Sequence, residues 1–182
     1  MIQFPKRYAD LVARLRVPSG FAIVVVFAWL SHPTAQSLLI GLPVALAGLS
    51  LRAWAAGCLA KNQQLARSGP YAHVRNPLYA GTLLVAAGLV IASRNLWLGI
   101  LFAAVFAFVY LPVIQLEEQH LRRLFPDYAD YAAHVPALLP RLTPAAEKNS
   151  QPFRVSLYLK NKEYEAGAGF AAGMLFLLWK LR

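Results

Sequence analysis

The chain has 182 residues, 58% of them hydrophobic and 14% charged, with a mean hydropathy of +0.47. A soluble domain is nearer half apolar and a quarter charged, so this composition excludes an ordinary soluble protein and points to a single integral-membrane domain over 1–182. The net charge of +10 does not mark a nucleic-acid binder: the cations lie in loops beside apolar runs, as in cytoplasmic loops of membrane proteins, and no basic helix interleaved with aromatics occurs.

The first apolar run covers 18–30 and follows Lys6, Arg7, Arg14 and Arg16. Basic residues before an apolar core are also the pattern of a secretory signal; a second apolar run follows almost at once, which favours a retained span and leaves cleavage as the alternative. The second run, 38–59, meets the roughly 20 residues that a spanning helix needs. It contains Arg52, and a cation inside such a segment costs about 2.5–3.5 kcal/mol on insertion scales. Arg52 must therefore snorkel, meet an anion or bind substrate. Cys58, the single cysteine, excludes an intrachain disulfide and reads as a small packing residue.

Next comes Ser68-Gly69-Pro70-Tyr71-Ala72-His73-Val74-Arg75-Asn76-Pro77-Leu78-Tyr79-Ala80-Gly81, wedged between apolar runs. Its prolines and glycines set turns, and its tyrosines, histidine, arginine and asparagine supply donors and flat faces. Residues of this kind at a membrane boundary point to a bound ligand; the competing reading is a loop anchored by an aromatic belt. The third run, 78–92, joins the fourth, 96–116, through Ser93-Arg94-Asn95, and 31–37 joins the first two. Links this short force antiparallel neighbours. Pro112 is expected to kink the fourth run and free a backbone carbonyl.

Glu117 and Glu118 follow, and Leu116, Leu121, Leu124 and Phe125 continue one helical stripe past them. Adjacent residues on a helix project about 100° apart, so one of the two carboxylates faces that stripe; the alternative is a solvated helix end with the glutamates paired to Arg122. Residues 142–165 read as a cytoplasmic linker centred on Glu147-Lys148-Asn149-Ser150-Gln151, and 166–181 as a C-terminal transmembrane helix. Gly169 and Gly173 form a small-xxx-small face there, suited to close helix packing within the chain or in a homo-oligomer.

These readings assemble into an all-α, polytopic membrane bundle of about five transmembrane helices. Fourteen lysines and arginines fall on the side of the motif loop; Arg94, Lys180 and Arg182 fall on the other. The N-terminus and the loop are therefore expected to be cytoplasmic. His32, His73, His120 and His134 lack metal-site spacing, and no metal is expected. HExxH, CxxC, GxSxG, P-loop and GxGxxG patterns are absent.

The blocks Ser68-Gly69-Pro70-Tyr71 and Arg75-Asn76-Pro77-Leu78-Tyr79-Ala80-Gly81 resemble the signature of the isoprenylcysteine carboxyl methyltransferase and phospholipid methyltransferase superfamily. So does Glu117-Glu118 followed by Leu121, Phe125, Tyr128, Tyr131 and Val135-Pro136, with Gly48 to Ala55 similar to the preceding helix. The resemblance covers 48–141, a methyltransferase-like core. It implies a membrane enzyme that uses S-adenosylmethionine in a cytoplasm-facing cavity. On this resemblance Tyr71, Pro77, Tyr79 and Glu117 contact the cofactor, with Gln64 and Leu65 on the approaching loop and Asn76 where the eukaryotic enzymes have histidine. Val113 stands where prenylcysteine methyltransferases carry a substrate-contacting arginine, which leaves Arg52 or Arg75 as the cation for an acceptor carboxylate.

Methyl transfer from a sulfonium is an in-line displacement helped by alignment and exclusion of water. An amine or thiol acceptor must lose a proton, for which Glu118 or a tyrosine is the candidate base, and Arg75 is the candidate cation beside it. A lipophilic or lipid-linked acceptor would enter from the bilayer lipids. The alternatives are a membrane reductase related to the sterol and steroid reductases, using NADPH, and a non-enzymatic membrane protein.

Overall fold

The computed structural model describes residues 4–145 and 152–181. Met1, Arg182, the side chain of Arg16 and the linker centre at 147–151 lie outside the described residues. Every regular element described is helical: α1 (Lys6–Leu30), α2 (Ala35–Gly57), α3 (Pro77–Ser93), α4 (Leu96–Val105), α5 (Leu111–Leu124), α6 (Tyr128–His134), α7 (Val155–Lys160) and α8 (Tyr164–Lys180). A π-helical turn, Phe106–Tyr110, makes α4 and α5 one continuous rod.

Two helices are long and apolar enough to cross a bilayer, α2 and the 29-residue rod Leu96–Leu124. A third is α1 if its halves, which meet at 54°, count as one span. The expectation of about five spans exceeds this because α3 and α8 have 17 residues each, about 26 Å at 1.5 Å per residue against a hydrocarbon core of about 30 Å. Pro77 starts α3, and Arg94, left-handed at φ 53°, stops it.

The tightest contact in the bundle is between α2 and α3. A Cβ on Gly48 would lie 2.6 Å from the Gly81 carbonyl oxygen, and one on Gly88 would lie 2.5 Å from the Ala45 nitrogen. Backbones therefore touch along a seam of glycines, in the manner of membrane helix pairs. A Cβ on Gly169 or Gly173 would meet nothing within 4 Å beyond its own helix backbone, so these two are not the close-packing glycines within the chain. α8 instead docks through Leu177, fully buried against Leu38 and Ala92.

Pro112 does free a carbonyl, but the rod answers with the π turn rather than a sharp kink. The Phe108 oxygen, four residues before Pro112, accepts from the Tyr8 hydroxyl at 2.6 Å. Gln115 clamps the backbone of Phe4 through both ends of its amide, at 2.8 and 3.1 Å. These contacts fasten the first turns of α1 to the rod.

At the end remote from the motif loop, Ser37 donates to the Ala92 carbonyl and Asn95 to that of Leu30, both at 2.9 Å. The Lys180 ammonium caps α1 by donating to the carbonyls of Ala28 and Ser31, each at 2.7 Å. Trp29, Trp97 and Trp179 are exposed around this end, the placement of an interfacial aromatic belt.

The stretch expected as a linker is folded where it is described. The Arg154 amide donates to the Gly57 carbonyl at 2.9 Å, and the Asn161 amide donates to those of Ala56 and Leu59, each at 2.9 Å. These carbonyls belong to the last turn of α2 and the residues just past it. Residues 152–163 thus form a wall rather than a tether.

Candidate active site

A cavity of about 600 Å³ opens at the motif-loop end, between α2, α3, α5, α6 and the start of α8. Its size falls within the roughly 300–1,000 Å³ of small-molecule sites. Gly69 begins the loop at φ +59°, where a side chain would also press on Cys58 and Trp54 at 3.3 Å. Pro70 follows in a short 3₁₀ turn, and Pro77 starts α3. The chain is thereby turned twice within nine residues, and Tyr71, Asn76 and Tyr79 come to one cavity wall.

Backbone bonds strap the loop to the segment after α6. The amides of Arg75 and Asn76 donate to the carbonyls of Pro136 and Ala137 at 2.8 and 3.2 Å, and the Arg141 amide donates to that of His73 at 3.0 Å. Charge completes the strap. Glu118, 8% exposed, accepts at Oε1 from Arg75 Nε and Nη2 at 3.1 and 3.0 Å and from Asn76 Nδ2 at 3.3 Å. Arg75 Nη1 also donates to the carbonyls of Ala132 and Val135 at 2.7 and 2.6 Å, closing the end of α6.

The adjacent glutamates therefore divide. Glu118 turns inward, while Glu117 is exposed into the cavity and accepts from the Tyr79 hydroxyl at 2.9 Å. The Tyr79 ring is held edge-on by Tyr110 in the π turn, with centroids 6.1 Å apart. Tyr71 is 6% exposed, packed on Ala55, Cys58 and Ala66. Its carbonyl accepts from the Tyr131 hydroxyl at 2.7 Å. Tyr71 lines the cavity, and its own hydroxyl has no hydrogen-bond partner among the described residues. Burial, reinforced by Tyr131, pushes the Tyr71 phenol up, so it is a neutral donor. Burial likewise pushes up Tyr128, with nearby Glu118 adding to the shift.

Gln64, Leu65, Tyr71, Asn76, Pro77, Tyr79 and Glu117, the seven residues expected at a cofactor, all line this one cavity, as do Arg52 and Arg75. Glu118 does not; it lies behind the wall. The catalytic roles expected of Arg75 and Glu118 are not those the geometry supports. Four of the five guanidinium donors of Arg75 are engaged, and Glu118 is committed to Arg75 and Asn76. Both are held in contacts within the protein.

Arg52 meets an anion. Its Nε and Nη2 donate to the two oxygens of Glu163 at 2.6 and 3.0 Å, and Nη1 donates to Thr82 Oγ1 at 2.5 Å and the Leu78 carbonyl at 3.2 Å. Glu163 and Asn161, both cavity-lining, are residues that sequence reasoning passed over. The available signal was an acid directly before the last apolar run in a chain with only eight carboxylates and one arginine inside a span. Among the described residues no three His, Cys, Asp or Glu side chains gather in a metal-binding arrangement.

Residues 44–128 match the family model of phospholipid methyltransferases. The cobalt-zinc-cadmium resistance protein CzcN of Cupriavidus metallidurans is 33% identical over 73% of this chain and 61% of its own length. The nickel-cobalt-cadmium resistance protein NccN of Alcaligenes xylosoxydans xylosoxydans is 30% identical over 73% and 62%. The chain thus spans about three-fifths of the curated relatives it matches. No solved structure matches it.

Proposed function

We propose that this chain, whose residues 44–128 match the family model of phospholipid methyltransferases, transfers a methyl group from S-adenosylmethionine to a lipophilic or lipid-linked acceptor at the cytoplasmic face. The observation that carries the reading is the pairing of a buried, unpartnered donor with an exposed carboxylate on one wall: the Tyr71 hydroxyl and Glu117. A cofactor with ribose hydroxyls, an amino group and a cationic sulfonium suits that set. Hydroxyl and amino groups donate to Glu117, Tyr71 donates in return, and aromatic faces attract the sulfonium.

When bound, S-adenosylmethionine supplies an electrophilic methyl group. The chain's own residues do the rest. Tyr79 orients Glu117 from α3. Arg75, Glu118 and Asn76 hold the loop against α5 and α6, so the cavity wall stays assembled without a ligand. Leu65, Leu116, Leu121 and Phe125 supply apolar lining that excludes water around the reacting centre. Gln64 and Leu65 close the cofactor side.

The charge asymmetry between the two ends favours a cytoplasmic loop. The relatives' names concern metal resistance, and the proposal takes no metal-handling step from them, because the cavity's donor set is not a metal-ligand set. Purified protein in detergent is expected to bind radiolabelled S-adenosylmethionine in preference to NADPH, and Glu117→Gln to weaken that binding. Preference for NADPH would overturn the proposal.

A further inference from the structure

We infer that the Arg52–Glu163 ion pair forms the floor of the acceptor subsite and makes it select uncharged head groups, Glu163 being the residue that sets this specificity; the inference rests on the methyltransferase reading above.

Depth follows from helix direction. α3 enters the bundle from the motif-loop end and α5 leaves toward it, so Thr82 and Val113 lie one turn deeper than the bonded pair Tyr79 and Glu117. Thr82 receives a hydrogen bond from Arg52, and Arg52 holds Glu163. Arg52, Thr82, Val113 and Glu163 all line the same cavity. The cofactor residues occupy the upper level, which leaves this lower level for the acceptor.

The charge at that level is balanced. Glu163, 9% exposed, covers Nε and Nη2 of Arg52 with both of its oxygens, while Thr82 and the Leu78 carbonyl take Nη1. Arg75, the second arginine of the cavity wall, is committed to Glu118 and to two α6 carbonyls, and Lys61 lines the cavity from the loop that follows α2. A carboxylate arriving at this level would meet an arginine already engaged by Glu163 and would lie beside that carboxylate, which costs desolvation. A thiol or hydroxyl carries no such penalty and can donate to a Glu163 oxygen. In the transfer itself the acceptor heteroatom forms its bond to the methyl carbon through a lone pair. The carbon–sulfur bond breaks with its pair left on sulfur, and the acceptor's proton leaves to water through the open mouth.

The test uses full-length protein in detergent and one isoprenoid chain carrying a thiol, a hydroxyl or a carboxylate. Cofactor affinity is measured first by radiolabelled S-adenosylmethionine binding, and its absence in the wild type sinks both this inference and the reading beneath it. Wild-type protein should methylate the uncharged heads in preference to the carboxylate. Glu163→Gln unmasks the Arg52 guanidinium and should raise the carboxylate-to-thiol ratio of kcat/KM by about ten- to a hundredfold, the range of one charge-assisted hydrogen bond, with cofactor affinity unchanged. An unchanged ratio, or a wild type that prefers the carboxylate, overturns the assignment while leaving the methyltransferase reading intact. If Glu163→Gln does not survive purification, the neutral double variant Arg52→Gln/Glu163→Gln decides. A raised acceptor KM with unaltered cofactor binding supports the floor, and an unaltered KM refutes it.

Discussion

Removing a single oxygen atom, by Tyr71→Phe, should move folding and cofactor binding in opposite directions. The ring is 6% exposed, and phenylalanine keeps its contacts with Ala55, Cys58 and Ala66 and the carbonyl that Tyr131 bonds. What disappears is a hydroxyl with no partner among the described residues. A buried unpaired polar group costs about 1–3 kcal/mol; because this one borders an open cavity, the gain on its removal lies at or below about 1 kcal/mol. If the hydroxyl bonds the cofactor, its loss costs about 0.5–1.5 kcal/mol of binding, a two- to tenfold rise in Kd. Thermal unfolding in detergent micelles reads the first effect and equilibrium binding of radiolabelled S-adenosylmethionine the second. Alkaline pH gives a third readout. The Tyr71 phenol is pushed above its ordinary value of about 10 by burial, so above that pH the unfolded chain loses a proton that the folded chain keeps. The stability from this group is full below about pH 10 and lost above it, and Tyr71→Phe should flatten that loss. A variant that unfolds at lower temperature and binds cofactor as tightly as wild type would refute the assignment of Tyr71.

Gly48→Leu should destabilise the bundle by more than the about 1–3 kcal/mol typical of overpacking, since its side chain would meet the α3 backbone, whereas Gly169→Leu should leave the monomer's unfolding temperature unchanged; equal effects would refute the α2–α3 seam. Glu118→Gln leaves the Arg75 charge uncompensated in a site where both side chains are 10% exposed, and should lower stability by about 3–5 kcal/mol. Wild-type stability would show that the strap does not depend on this pair. In a Cys58→Ala background, single cysteines at the exposed positions Gln63 and Arg94 should label from opposite sides of sealed cells, Arg94 from outside. The reverse pattern would invert the orientation proposed from charge.

The motif loop was legible because its chemistry is local. Two prolines, a required glycine and paired tyrosines within 14 residues set the turn and the cavity wall together, and the seven residues expected at a cofactor line one cavity. The glycine seam was hidden for the opposite reason. Gly41, Gly48, Gly81 and Gly88 sit seven apart on each of two helices, and only the pairing of those helices reveals that the four face one another. Gly169 and Gly173 carry the more familiar spacing, yet a Cβ on either would meet no other element among the described residues. The folding of 152–163 was illegible because α7 has six residues and no apolar period long enough to register; its place is set by Asn161 capping a helix more than a hundred residues earlier.

The two glutamates show how position on a helix converts one repeated letter into two functions. About 100° of rotation separates them. On one side lie Arg75 and Asn76, so Glu118 becomes the anchor that fixes the loop; on the other lies the cavity, so Glu117 becomes the carboxylate offered to a ligand. The same device recurs at the floor, where Glu163 neutralises the arginine that an apolar span would otherwise have to expel. In each place an acid consumes a cation before a substrate can. The cavity that remains presents the Arg52–Glu163 pair below, Arg75 held from behind its wall by Glu118, and Glu117 and Lys61 facing it. On the methyltransferase proposal, that arrangement suits a cationic sulfonium held next to an uncharged acceptor.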